Sequence, residues 1–286
     1  MEVRLELLRP REIEQAMEQC PLLFMPLGTI EWHGRHNVVG LDALKAHDLC
    51  IRAAARAGGL VAPPLYGGMG GLEQPHTFVM EPEDRLTSNL VRPWLEQLGR
   101  EAVRQGFQAV IMLTGHYGAA QQIVVRRVAV ELTRELKKPI LGTPEYFLAL
   151  DENYVGDHAA FFETSLMMYL YPGSVKLDEL GEAPHQGVGG RDPKKYANPE
   201  DGKRLAEAVI GRLVSLAKQM PNWDEATIGR FLKAEEALVD KQYGLAKQTG
   251  CVWEAWRNLG KGVLAPYPEL LTTRDFEAIA RLIEKL

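Results

Sequence analysis

Four short apolar runs, each closed by a breaker or a polar turn, constrain this chain more than any other feature. They are Leu22–Leu27 (LLFMPL), the proline-broken Leu60–Leu65, Phe107–Leu113 (FQAVIML) and Pro139–Gly142. The first three each lead through a loop into a longer segment with helical signals. Asp42–Ala57 carries a carboxylate in its first turn, where it favours the positive end of the helix dipole, and Gly58-Gly59 stops it. Thr87 or Ser88 is expected to cap a helix running through Gln105, ended by Gly106, and a further helix is expected over 119–137. Strands alternating with helices of this length build βαβ units. The expected class is therefore α/β, with a largely parallel sheet covered on both faces.

The second half reads differently. A helix over Glu163–Leu170 precedes a Gly/Pro-rich stretch from Pro172 to Pro199, then a helix over Glu200–Gln219 and a break at Pro221-Asn222. Glu225–Lys247 reads as a helix, and Thr272 with Asp275 resembles a capping box before Phe276, Ile279, Ile283 and Leu286 at helical spacing. We read residues 1–286 as one domain with a mainly helical C-terminal extension from about 222 to 286.

Charge and cysteine usage exclude several classes. With 38 acidic against 33 basic residues the chain has no global attraction for phosphate backbones or anionic lipid, so neither nucleic acid nor membrane is an expected partner. Cys20, Cys50 and Cys251 have no CxxC spacing, which argues against a disulfide framework and a structural zinc ribbon and fits a reducing compartment. No apolar leader and no stretch of about 18 apolar residues is present. The expected location is cytoplasmic.

The chemistry-bearing residues gather after the strands. Behind the first run stands Glu31-Trp32-His33-Gly34-Arg35-His36, with Asp42 opening the next helix. In extended backbone Glu31 and His33 point to the same side. Behind the third run stands Thr114-Gly115-His116-Tyr117-Gly118, and a third group joins Asp157-His158 to Glu163 and Thr164. Ligands of open α/β sheets collect outside the carboxyl ends of strands, where the first two groups lie. Imidazole and carboxylate without thiolate suit zinc, manganese or ferrous iron rather than a closed structural zinc site. A carboxylate shared by two ions is the usual bridge of a two-metal hydrolytic centre. Plainer readings stand beside these: a hydrogen-bonded Glu31–His33 pair, Asp42 and Glu163 as helix-start carboxylates, and His158 as a surface histidine. The glycine loop 67–71 lacks a phosphate-binding register, so a nucleotide site is not expected.

Three segments together, PLGTIEWHGRHNVVGLD (26–42), LTGHYG (113–118) and DHAAFFETSLM (157–167), resemble the creatininase family. The likeness runs over roughly residues 20–215. It implies a three-layer α/β/α sandwich with a mostly parallel central sheet, two divalent metal ions per chain (Zn, Mn or Fe), and hydrolysis of a cyclic or linear amide. Carried over by position, Glu31 and His116 would hold one ion, His33 the other, and Asp42 would bridge. His158 matches the family's catalytic histidine, and His36 a family histidine that supports the loop from behind. Tyr117 and His76 are candidates for substrate contact. The chain departs from the pattern at Gly118, where creatininase proper carries a glutamate ligand, and Glu163 is the candidate to replace it. Thr114 stands for the usual Asn, and HTFVMEP (76–82) for a segment that borders the substrate, so creatinine itself is not the expected substrate. The resemblance also implies a homo-oligomer, hexameric in some relatives. Two competing readings remain: a ring-opening C–C hydrolase of a keto-inositol on the same metals, and a small-molecule-binding module without catalysis.

Overall fold

A computed structural model describes residues 2–72, 74–82, 88–249, 259 and 262–286. The sheet is built from β1 (Leu22–Gly28), β2 (Leu60–Val61), β3 (Leu65–Tyr66), β4 (Ala109–Thr114) and β5 (Ile140–Pro144). Its order is β2-β1-β4-β5, with β3 also on β1, and every pairing is parallel. β1 and β4 are buried throughout, as strands covered on both faces must be. Their side chains alternate between the two layers. Leu22, Phe24, Ala109, Ile111 and Leu113 face one core, while Leu23, Met25, Leu27, Val110 and Met112 face the other.

On the second of these faces lie α1 (Pro10–Gln19), α3 (Val91–Arg104) and α4 (Ala119–Leu136). The first face carries α2 (Leu41–Ala57) and, after α5 (Phe161–Leu170) and the short α6 (Pro193–Tyr196), the long α7 (Pro199–Gln219). The three-layer α/β/α sandwich expected from the sequence is what forms. The last helices, α8 (Glu225–Thr249), α9 (Tyr267–Thr273) and α10 (Phe276–Glu284), contribute Phe231, Leu238, Tyr267, Phe276 and Ile279 to the same core cluster as α2 and α7. No described helix is long and apolar enough to cross a membrane.

Several boundaries differ from the sequence reading, each for a local reason. Pro63 and Pro64 split the expected strand over 60–65 into two two-residue segments, because proline cannot donate to a ladder. Strand β4 starts at Ala109 rather than Phe107, and β5 runs two residues past Gly142. Helix α3 starts at Val91, and its free amides are served by Glu81: Asn89 N–H donates to Oε1 at 2.6 Å and Val91 N–H to Oε2 at 3.0 Å. Ser88 only assists, accepting from Arg92 N–H at 2.8 Å, and Thr87 lies outside the described residues, as do Cys251, Trp253 and Trp256. The capping box expected of Thr272 does not form. Asp275 is itself the cap, accepting from Ala278 N–H, while Thr272 sits inside α9 with its hydroxyl turned back onto the carbonyls of Pro268 and Glu269.

The C-terminal helices are tied to the sheet by one buried ion pair. Arg126 of α4, its side chain fully buried, donates to Glu235 of α8 at 3.0 Å and lies 4.3 Å from the ring centroid of Phe147, and Tyr267 of α9 donates to the other Glu235 oxygen at 2.7 Å. Burial pushes the Glu235 carboxyl up, and Arg126 opposes that push. Removing one partner of such a pair leaves the other charge stranded, at a cost of ~3–5 kcal/mol. Urea unfolding of Arg126→Ala should show a loss of that order, and Arg126→Met combined with Glu235→Leu should be clearly more stable than Arg126→Ala.

Candidate metal centre

β1 is followed by β2 on one side, while β4 lies on its other side, so the chain reverses direction across the sheet between β1 and β4. A crevice forms at the carboxyl ends of the two strands, as it does at such a switch point in any open parallel sheet. Glu31 lies three residues past β1 and His116 two past β4. Asp42, in the first turn of α2, comes down between them because two glycines let it. A Cβ on Gly28 would overlap the backbone at Asp42 and Ala43, and one on Gly115 would overlap the Asp42 carbonyl. The helix start therefore rests directly on both strand ends.

Asp42 is 1% exposed and faces an imidazole on each side. Its Oδ1 is 3.1 Å from His33 Nε2, and its Oδ2 is 3.1 Å from His116 Nδ1. Glu31 Oε2 approaches the same His116 nitrogen at 3.1 Å, and Glu163 Oε2 lies 3.7 Å from His33 Nε2. Two groups of ligand atoms result, Glu31–Asp42–His116 and His33–Asp42–Glu163, each with all its atoms within 4.8 Å of one another. Asp42 belongs to both. Glu31, His33 and His158 form a third such group.

The donor set fits divalent cations on grounds internal to this structure. A backbone carbonyl can only accept, so His33 Nδ1 donates to the Glu31 carbonyl at 3.0 Å and His116 Nε2 donates to the Met69 carbonyl at 2.9 Å. Each ring is thereby held with its other nitrogen turned into the carboxylates, which is how the second shell orients metal-binding imidazoles. Glu31 Oε2 and His33 Nε2, both buried, make no well-aligned hydrogen bond and have only contacts within the cluster, the nearest at 3.1 Å. Burial opposes charge on all these groups, but proximity prevails. His116 holds the Glu31 carboxyl down at about 2, Asp42 holds His33 up at about 9, and the carboxylates raise His116 well above its ordinary value. Burial and the His33 charge push His158 down, so it is neutral at physiological pH.

His158, with its side chain 25% exposed, is the most open of these residues. Its Nε2 donates to the Trp32 carbonyl at 2.8 Å, which leaves Nδ1 as a free acceptor 4.0 Å from Glu31 Oε1. His36 is buried behind the centre, accepting from Asn37 and lying 3.0 Å from the Thr164 hydroxyl, and so fastens the loop after β1 to the start of α5. Asp157 accepts from the amides of Phe162 (2.7 Å) and Glu163 (3.1 Å) and fixes that helix start. Two expected substrate contacts fare differently. Tyr117 lines the cavity, but its hydroxyl donates to Glu145 and meets Tyr154, so the polar end is committed to the interior. His76 is exposed at φ 69°, outside the residues that line the cavity.

Two residues escaped the sequence reading. Lys45 is completely buried, with Nζ bonded to Glu163 Oε1, 3.0 Å from Glu145 Oε1 and 3.9 Å from the Tyr117 ring centroid. Its carboxylate partners hold its pKa up against burial, while burial pushes Glu145 up to about 7. A lysine one turn after Asp42, on the face that buries Leu41, Ala46 and Leu49, was the available signal for Lys45. Glu145 follows β5 directly, the same situation that flagged Glu31 and His116.

The cavity over the centre measures about 400 Å³ and is lined by Glu31, Asp42, His116, His158 and Glu163 with Asp157, Tyr117 and four glycines. A cavity of about 480 Å³ at the opposite end of the strands, beside Gln108 and Pro139, gathers no imidazole and a single carboxylate, Glu225. The chemistry belongs to the smaller one.

Comparison with known proteins agrees with this fold. The family model described as creatinine amidohydrolase matches residues 6–217. A creatinine amidohydrolase of Pseudomonas putida is 30% identical over 200 residues, 60% of this chain and 73% of that protein. Among solved structures, a zinc–zinc form of a creatininase variant matches with a TM-score of 0.64 at 24% identity, over 77% of this chain and 99% of that one. A manganese creatininase matches with a TM-score of 0.64 at 23% identity, over 77% and 100%. At these identities the structural likeness speaks for the fold.

The close seating of α2 on the strand ends can be tested alone. Gly115→Ala forces the Asp42 carbonyl away, an overpacking that costs ~1–3 kcal/mol. Thermal unfolding should show that loss, and metal analysis should show a protein that retains less divalent metal than the parent.

Proposed function

Because this chain belongs to the creatininase family and is, with it, a metal-dependent hydrolase, we propose that it cleaves the amide bond of a small polar molecule, cyclic or linear. Two divalent cations would be held by Glu31, Asp42 and His116 on one side and by His33, Asp42 and Glu163 on the other. The observation that carries this reading is Asp42 itself, whose two oxygens each face a different imidazole at 3.1 Å, with a further carboxylate beside each. Divalent cations at such a centre lower the pKa of water and polarise a carbonyl oxygen.

The chain's own residues supply the rest. His158 is neutral, tautomerically fixed by the Trp32 carbonyl, and presents the Nδ1 lone pair beside Glu31. It can accept a proton from attacking water and return it to the departing nitrogen, the two tasks of a general acid–base. Gly118, Gly156, Gly189 and Gly190 form the wall, where the lack of side chains lets backbone approach a ligand closely. Gly118 in particular leaves open the space that a glutamate ligand would fill. No lysine or arginine is among the described lining residues, so a neutral or cationic substrate suits the wall better than a phosphorylated one.

The test has two halves. Metal analysis should find up to two divalent ions per chain, and Asp42→Ala should lose them. His158→Ala should retain its metal and lose ~10²–10⁴-fold in kcat on whichever member of a panel of linear amides, lactam-like rings and cyclic ketones the parent turns over. Release of amine or ammonia supports amide hydrolysis. A carboxylate product without amine would move the reading to C–C ring opening, and tight binding without turnover would move it to a binding module.

A further inference from the structure

Lys45 has no task in the reaction outlined above, yet it is the only lysine or arginine whose described contacts place it on a residue of the two ligand groups. It lies on the same face of α2 as Asp42, three residues later, with no exposed surface. Its ammonium bonds one oxygen of Glu163 and sits 3.0 Å from Glu145 Oε1. The other Glu163 oxygen accepts the Ala159 N–H at 2.7 Å and is the one that faces His33. In the neighbouring group, Glu31 Oε1 is held by a neutral donor, the Leu72 N–H at 2.7 Å, and Oε2 meets only the His116 imidazole, itself one of the group, at 3.1 Å. The two halves of the centre therefore differ in one respect. Each glutamate accepts one backbone N–H, but only Glu163 also accepts from a lysine ammonium.

Resting on the metal-centre reading, we propose that Lys45 is a positioning residue that competes with the cation of the His33–Asp42–Glu163 group for the charge of Glu163. It makes that group the weaker of the two. Away from bulk water, like charges separated by one carboxylate repel far more strongly than they do at a surface. The same ammonium keeps Glu163 and Glu145 from facing each other unpaired when no cation is bound, a state that buried carboxylates tolerate poorly. Glu145 shares Lys45 with Glu163, so it moderates the competition. Removing its charge commits the ammonium more fully to Glu163.

The full-length protein, stripped of metal, is titrated with zinc against a chromophoric chelator, and its melting temperature is recorded with and without zinc. The parent should show two affinities. Lys45→Met should tighten the weaker one by about tenfold or more and leave the stronger nearly unchanged. Its metal-free form should melt lower than the parent's, and zinc should restore the difference. Glu145→Gln, which keeps an acceptor for the two tyrosines, should shift the weaker affinity in the opposite direction. A Lys45→Met protein with both affinities unchanged, or with the weaker one loosened, overturns the proposal and leaves Lys45 as a prop for the pocket. If Lys45→Met does not fold, Glu145→Gln decides: an unchanged or tighter weak site overturns the proposal. A parent that binds no zinc at either group overturns the metal centre itself, a result separate from any of these.

Discussion

The centre depends on how closely a helix start can approach the ends of two parallel strands. Asp42 reaches both imidazoles only because α2 begins against backbone at Gly28 and Gly115, with no side chain between. Everything else in the crevice takes its place from that contact. The loop after β1 folds over it to bring Glu31 and His33 to either side, and Glu163 arrives from α5 on the far wall. A parallel sheet sets such strand ends side by side for reasons of topology alone, and the chain has put its oxygen and nitrogen donors where the sheet leaves room.

The electrostatics of the pocket are those of an interior built around positive charge. Glu31, Asp42 and Glu163 are almost fully buried beside two imidazoles and one ammonium, and the imidazoles are drawn toward protonation by the carboxylates around them. Buried carboxylates in such density are costly unless cations accompany them. The backbone carbonyls that hold His33 and His116 by their outward nitrogens decide which ring atom meets the charge, so orientation is settled before any ligand arrives.

The sequence revealed the architecture and most of the donors because both depend on short-range pattern. Phe107–Leu113 is apolar and β-rich enough to be read as a strand within two residues of its true start, and the breakers on either side of α2 and α4 bound them closely. Glu31, His33, Asp42 and His116 could be named because each follows a strand or opens a helix. Illegible were the features that depend on distant parts of the chain. Glu81 serving the start of α3, Lys45 reaching Glu163 across 118 residues, and the Tyr117 hydroxyl turning inward to Glu145 leave no mark in local spacing. His76 is a different case: it is exposed and outside the cavity lining, while its neighbour Thr77 accepts the Trp32 N–H at 3.0 Å.

The link between Arg126 and Glu235 bears on the portion of the chain beyond the family match, which ends at residue 217. Arg126 is rooted in the shared α/β architecture, while the Glu235 oxygen that neutralises it, and the Tyr267 hydroxyl that holds the other oxygen of that carboxylate, come from downstream. Pruned to the common outline, the molecule would keep a guanidinium against Phe147 with, among the described residues, only the Thr143 hydroxyl, 3.4 Å away, to answer it. The tail is thus a keystone rather than an ornament, and the shared part of this chain has become its dependant.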